Sequence, residues 1–289
     1  MASEDHSESL DTKLTAYDIQ ARKGGLRLSM VSVYDFPFAR LAEEAGIDIL
    51  LVGDSLGMVV QGHDSTVPVT LDDIVYHAKA VRRGAPRTHV VADLPFLTYH
   101  TDTGRAIENA GRLLQEGGAD SVKLEGGQEI AERAAAIVRA GIPVMGHIGL
   151  TPQSAGALGG FKVQGRNVAS ARKILDDARA IADAGAYAMV VEVIPAELGE
   201  MITASVPIPT IGIGAGAACD GQVLVGHDML GLQERIIGRF AKVYANVGDD
   251  VRRAFTAFAE EVRAGAFPDE EHSYAMAKDV IAQLGESSR

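Results

Sequence analysis

Eight short apolar runs, each closed by a turn signal and most of them followed by an amphipathic segment, constrain this chain more than any other feature. They are LSMVSVYD (28–35), DILLVGD (48–54), THVVAD (88–93), DSVKLEG (120–126), IPVMGHI (142–148), YAMVVEV (187–193), IPTIGIG (208–214) and QVLVGHD (222–228). Their apolarity is continuous rather than alternating, as in strands covered on both faces. Helical patterns lie between them at 38–46, 71–84, 103–118, 130–141, 170–185 and 196–205, and several end in glycine just before the next strand. Eight strands with helical crossovers predict an α/β fold, a closed (β/α)8 barrel of the TIM type; an open doubly wound sheet usually has fewer strands. Only residues 215–221 separate strands seven and eight, so that helix is short or missing. Long loops at 55–70 and 149–168 fall after strands, on the face where barrel enzymes keep their chemistry. Two amphipathic segments, 251–265 and 273–285, extend beyond the barrel. Residues 1–12 are acidic and polar and read as a disordered tail, leaving 13–289 as a single domain.

Charge excludes some partners. Lys and Arg number 27 against 39 acids, a net charge of −12, and the densest basic cluster is only Arg82, Arg83 and Arg87. Nucleic acid, whose binding runs on clustered cations, is not an expected partner. Cys219 is the single cysteine, so no intrachain disulfide forms. The start of the chain has no apolar signal region, and no stretch approaches the roughly 20 apolar residues of a membrane span. The expectation is a soluble cytoplasmic protein with small-molecule partners and no membrane contact.

Acids recur at the strand ends. Strand two ends at Asp54, strand three at Asp93, strand four carries Lys123 and Glu125, strand five reaches His147, and strand six carries Glu192. Neighbouring strands of a barrel put these residues on one arc of the rim, with Lys123 and Glu125 on the same side because they are two apart. An aspartate after a strand often caps a helix or fixes a turn, and for Asp93 that reading weighs about as much as a functional one. Lys123 and Glu192 resist it, because each interrupts a strand that reads as buried, where charge needs a partner or a metal. Carboxylates without cysteine, and with at most one imidazole, are hard donors that suit Mg²⁺ better than zinc. Such a site accepts a chelating anion such as a 2-oxo acid and acidifies the carbon beside its ketone. Glu192 is then the general base, and a metal-stabilised enolate the nucleophile. The run GIGAGA (212–217) matches a weak dinucleotide pattern in the wrong context, since a strand follows it, and reads as close backbone packing. His63, His77, His89, His100 and His227 read as surface or internally satisfied, and Cys219 as structural.

Six blocks carry a resemblance: VGDSLGMVVQGHDSTVPVTLDD, VVADLPFLTY, SVKLEGG, PVMGHIGLTPQS, VVEVIP and PTIGIGAGAACDGQVLVGHDMLGL. Together, in order and from about residue 13, they resemble the 3-methyl-2-oxobutanoate (ketopantoate) hydroxymethyltransferase family. The resemblance implies a (β/α)8 barrel of pantothenate synthesis. With Mg²⁺, it transfers the one-carbon unit of 5,10-methylenetetrahydrofolate, as its iminium, to 3-methyl-2-oxobutanoate, giving 2-dehydropantoate. It further implies that Asp54, Asp93 and Glu125 hold the metal, that Asp54, Ser55, Asp93 and Lys123 contact the oxo acid, and that Glu192 accepts the proton. His147 becomes a polar group on the substrate side. A homo-oligomer, typically a decamer, is implied as well, with the C-terminal helices at interfaces. The rivals are a Mg²⁺-dependent carbon–carbon lyase or mutase of the phosphoenolpyruvate mutase or isocitrate lyase kind, and a non-catalytic metabolite-binding barrel. A Schiff base on Lys123 is a further route, opposed by Glu125, which keeps the amine protonated.

Overall fold

Period-two alternation sorts the strand side chains into two layers. In the third strand Val91 joins an inner cluster with Met30, Ile49, Leu51, Met145 and Val190, whereas Val90 and Ala92 join an outer cluster between sheet and helices. A parallel strand apolar on both faces has to be covered on both, and a barrel closed on itself does this. The computed structural model, which describes residues 13–233 and 238–286, has that architecture. Parallel strands β1 (Leu28–Ser32), β2 (Ile49–Val52), β3 (His89–Asp93), β4 (Ser121–Glu125), β5 (Val144–Gly149), β6 (Ala188–Glu192), β7 (Thr210–Ile213) and β8 (Gly221–Val225) close in sequence order, β8 pairing with β1. The tail expected at 1–12 lies outside the described residues.

The helices, in chain order, are α1 (Ala16–Ala21), α2 (Phe36–Glu44), α3 (Leu56–Val59), α4 (Leu71–Gly84), α5 (Thr103–Gln115), α6 (Ala131–Arg139), α7 (Val168–Asp183), α8 (Ala196–Ser205), α9 (Gly226–Met229), α10 (Val247–Ala264) and α11 (Lys278–Glu286). Side-chain caps fix several starts: Thr70 and Asp73 form a capping box at α4, Asp102 caps α5, and Asn167 caps α7. Helices α4 and α8 have the bounds read from sequence.

Most other bounds shift by a few residues, as where β1 ends at Ser32 and α11 starts at Lys278, and three further differences stand out. Helix α1 was not expected, although Thr15 and Asp18 form a capping box at its start. Its Ile19 is fully buried and, with Leu14 and Ala16, packs into the inner cluster of the barrel. The 55–70 segment is not all loop, since α3 occupies its first turn. Strand eight stops at Val225, and residues 226–228 belong to α9. Among the described residues no helix lies between β7 and β8, as the short spacing predicted. Asp220 ties this bare connection instead, accepting bonds from Thr210 N (2.9 Å), Gly24 N (3.0 Å) and Lys23 Nζ (2.9 Å). The glycine run packs closely here: a Cβ on Gly216 would lie 2.6 Å from that of Ala196, which only glycine avoids.

Candidate active site

The pleat that sends Val91 inward also sends Asp93 inward, two residues nearer the C-terminal rim. Register does the rest. Asp93 is the Cα partner of Lys123, Glu125 of His147, and Gly149 of Glu192, so β3 to β6 deliver their polar residues as neighbours. Asp54 and Ser55 arrive at the end of β2. All seven expected site residues, Asp54, Ser55, Asp93, Lys123, Glu125, His147 and Glu192, line one cavity of about 460 Å³.

Contacts inside it are short. Lys123 Nζ lies 2.9 Å from Asp93 Oδ1, and Asp93 Oδ2 accepts from Asp54 N at 2.9 Å. His147 stands between two acids, with Nε2 3.0 Å from Glu192 Oε2 and Nδ1 3.4 Å from Glu125 Oε1. Ser55 Oγ is 2.7 Å from the Tyr34 hydroxyl. Lys123, Asp93, Glu125 and His147 have side chains no more than 4% exposed, and Glu192 is 14% exposed, nearer the mouth.

Burial makes these charges interdependent. Burial alone would lower the Lys123 ammonium, but the charges of Asp93, Glu125 and Asp54 outweigh it and hold the amine protonated, above its ordinary range. That disfavours a Schiff-base role. Burial, with Glu125 and Asp93 nearby, raises Asp54 well above the carboxylate range. Burial and Lys123 push the His147 imidazole down, yet its contacts with Glu125 and Glu192 lift it to about 9. Nδ1 also lies 3.2 Å from Lys123 Nζ, a contact suited to a neutral ring. Two carboxylates against one ammonium favour the imidazolium.

Glu192 is seated by unusual backbone. Val193, which follows it, has φ of 47°, a left-handed conformation costly for a β-branched residue. Three backbone bonds hold it: Val193 N to Ile213 O (2.8 Å), Gln164 N to Val193 O (2.9 Å) and Leu150 N to Glu192 O (2.8 Å). The last needs Gly149, whose φ is +92° and whose added Cβ would fall 2.3 Å from Glu192 O.

Among the described residues no three His, Cys, Asp or Glu side chains converge on a ready metal position. The donors are nevertheless all hard oxygens, and three buried carboxylates (Asp54, Asp93 and Glu125) outnumber the ammonium set among them. The other histidines are mostly accounted for. His89 contacts Leu14 O, Ser121 and Tyr187, and His77 contacts Tyr34 O. Cys219 is buried outside the cavity lining.

Sequence reasoning missed Tyr34, Tyr99, Gln153 and Asp228. Gln153 donates to Asp54 and Glu125, and Tyr99 bonds Gln153. Asp228 lines the cavity, its carboxyl raised by burial to about 6. Gln153 and Tyr99 lie within the quoted blocks PVMGHIGLTPQS and VVADLPFLTY, but neither residue type announces a role there.

Comparisons with known proteins identify the family and the fold. The family model for ketopantoate hydroxymethyltransferase matches residues 13–270. The 3-methyl-2-oxobutanoate hydroxymethyltransferase of Carboxydothermus hydrogenoformans is 55% identical over 265 residues, covering 92% of this chain and 96% of its own. That of Moorella thermoacetica is 56% identical over 264 residues, covering 91% and 98%. Among solved structures, a 2,3-dimethylmalate lyase of the PEP mutase/isocitrate lyase superfamily superposes with a TM-score of 0.57 at 18% identity, covering 95% of this chain and 96% of its own. A phosphonopyruvate hydrolase complex with oxalate and Mg²⁺ does so with a TM-score of 0.57 at 14% identity, covering the same shares. At such identities these two share the fold alone. With a matched model over most of its length and relatives above half identity, the chain belongs to the ketopantoate hydroxymethyltransferase family and is a hydroxymethyltransferase enzyme.

Proposed function

We propose that this enzyme transfers a hydroxymethyl group from 5,10-methylenetetrahydrofolate to 3-methyl-2-oxobutanoate, giving 2-dehydropantoate and tetrahydrofolate for pantothenate synthesis. The observation that carries the reading is the pairing, in one cavity, of a mouth-side carboxylate, Glu192, with a buried, charge-dense floor. The floor suits an anionic oxo acid once a cation is present. Asp54, Asp93 and Glu125 would hold Mg²⁺ with water completing its shell, an ion that needs only one or two direct carboxylates. Bound there, it would supply the Lewis acidity that makes C3 of the oxo acid a workable carbon acid. The raised Asp54 carboxyl fits this, since burial first, and then the Glu125 and Asp93 charges, disfavour its anion, which a bound cation would offset.

The chain's own groups do the rest. The Lys123 ammonium and the Ser55 hydroxyl hold the substrate's oxygens. Glu192 takes the C3 proton, and the C–H electron pair becomes the C2–C3 double bond of the enolate. His147, 3.0 Å from Glu192 Oε2, keeps that carboxylate aimed and limits its motion. C3 then attacks the one-carbon unit. Because C3 becomes quaternary and the product carries a hydroxyl, water has to displace the folate nitrogen before that bond forms. The electrophile is therefore formaldehyde, released with tetrahydrofolate when water adds to the folate iminium. C3 bonds to its carbon, the C=O electron pair becomes an alkoxide, and the proton held by Glu192 passes to that oxygen as the product hydroxyl.

The resemblance to the lyases implies a cysteine acid on an active-site loop, and Cys219 does not supply it, being buried outside the cavity lining. We also assign the apolar face of α10 to contacts with further copies of the chain in a homo-oligomer, because none of its residues is buried and Phe255 and Phe258 stand open; the family resemblance implies that it is a decamer. Sedimentation velocity tests this, and a monomer would refute it. Among the described residues no helix is long and apolar enough to cross a membrane. We place the enzyme in the cytoplasm because that is consistent with a biosynthetic enzyme family.

The test is an NMR assay of both substrates with Mg²⁺. The reading requires 2-dehydropantoate and tetrahydrofolate in equal amounts, and their absence at any metal concentration refutes it.

A further inference from the structure

Gln153 sits in the short 3-10 turn Pro152–Ser154 after β5, and it is buried. Every polar atom of its side chain is engaged. Nε2 donates to Asp54 Oδ2 and to Leu94 O, each at 2.9 Å, and Oε1 is 2.8 Å from the Tyr99 hydroxyl. Its backbone N donates to Glu125 Oε2 at 2.9 Å. One residue therefore grips two carboxylates, one following β2 and one at the end of β4, through atoms that point in different directions.

The amide has one workable orientation. Leu94 O only accepts, so the nitrogen has to face it, and the amide oxygen is turned toward Tyr99. Tyr99 then donates its single hydroxyl proton to that oxygen and accepts from Glu125 N at 3.1 Å. Its competing acceptor, Glu125 O, lies farther off at 3.0 Å. Tyr99 is itself fully buried and its ring lies against His100, with centroids 4.0 Å apart, so the hydroxyl cannot swing away. The grip leaves Asp54 Oδ1 and Glu125 Oε1 without bonds from Gln153.

We propose that Gln153, oriented by Tyr99, is a positioning residue that holds the Asp54 and Glu125 carboxylates at the spacing with which they take a divalent cation. This rests on the Mg²⁺ reading above. Groups that orient metal ligands typically alter affinity by about 10–100-fold when removed.

The experiment is titration of the purified enzyme with Mn²⁺ alone, followed by electron paramagnetic resonance, with no substrate and no turnover. Tyr99→Phe keeps the ring and removes the hydroxyl; Gln153→Leu keeps the bulk and removes the amide. Each is expected to weaken Mn²⁺ binding about tenfold or more. The double variant is expected to lose less than the product of the two single losses, because Tyr99 acts mainly through the amide, its other bond being the one it accepts from Glu125 N. Tyr187→Phe is the control for lost stability: it removes a buried hydroxyl bonded to Ser121 outside the cavity lining and should leave Mn²⁺ affinity unchanged. Unchanged affinity in Tyr99→Phe, multiplicative losses in the double variant, or an equal loss in Tyr187→Phe would overturn the inference while the metal reading stands. A wild-type enzyme that binds no Mn²⁺ overturns both.

Discussion

Lys123→Met probes the charge balance of the cavity floor most severely. Among the described residues lining the cavity Lys123 is the only Lys or Arg, and its ammonium lies 2.9 Å from Asp93 Oδ1. Methionine keeps much of the stem and loses the charge, leaving three buried carboxylates facing one another. Removing one partner of a buried ion pair costs about 3–5 kcal/mol. For a chain of this size each kcal/mol moves the melting temperature by about 2–4 °C, so the variant should melt roughly 10 °C lower in EDTA. The pH dependence has a definite sign. Without the ammonium the folded-state carboxyls titrate higher than in the unfolded chain, so the native state binds more protons. The deficit should therefore grow as pH rises above the ordinary carboxylate range and shrink on acidification. Mg²⁺ should also restore the variant more than the wild type, because a cation binding only the native state stabilises it and here meets no ammonium. Circular dichroism melts at about pH 5 and pH 8, with EDTA or Mg²⁺, read all three effects. A deficit independent of both pH and Mg²⁺ would refute the reasoning, as would no deficit at all.

Gly149→Ala should disturb Glu192 without touching its side chain, since the new Cβ would fall 2.3 Å from Glu192 O in a left-handed backbone; we expect a kcat loss above about tenfold and a lower melting temperature, given strain of about 1–3 kcal/mol. Ser55→Ala should raise the KM for the oxo acid about tenfold, one hydrogen bond to a charged group being worth about 1.5–3 kcal/mol, with little change in donor KM in steady-state assays. Asp220→Asn should lower stability by about 2 kcal/mol near neutrality. Burial would raise Asp220, but bonds from Thr210 N, Lys23 and Gly24 N outweigh it and hold its carboxyl below the usual range. Its contribution is thus present above the unfolded pKa and lost as pH falls through the folded one, so the gap between Asp220→Asn and wild type in urea melts should close in acid.

Much of the fold was legible because both faces of a barrel strand are covered, and eight continuous apolar runs say so without any long-range information. The candidate site was legible where charge interrupted those runs: Lys123 and Glu192 stand out because a buried strand tolerates charge only with a partner. Ser55 and the assignment of particular ligands to metal and to substrate came from the family resemblance, whereas Glu192 as base followed from its place beside a hard-donor site. Gln153 and Tyr99 stayed hidden because they come from loops, and an amide or phenol in a loop has no pattern to break. Only the folded path of the chain brings Gln153 to Asp54, 99 residues away in sequence. Helix α1 was missed for a different reason. Six residues with one apolar anchor, Ile19, are too short for periodicity to register, so its capping box was the only available signal.

The central claim is that Glu192 removes the C3 proton of an oxo acid held on the carboxylate floor. Hydrogen exchange at C3 of 3-methyl-2-oxobutanoate in D₂O, followed by NMR without folate, tests it most directly. Wild-type enzyme should exchange that hydrogen with Mg²⁺ and stop when the metal is chelated. Glu192→Gln should bind Mg²⁺ normally and exchange slower by about 10²–10⁴-fold, the usual worth of a positioned base. Exchange at the wild-type rate in Glu192→Gln would contradict the account.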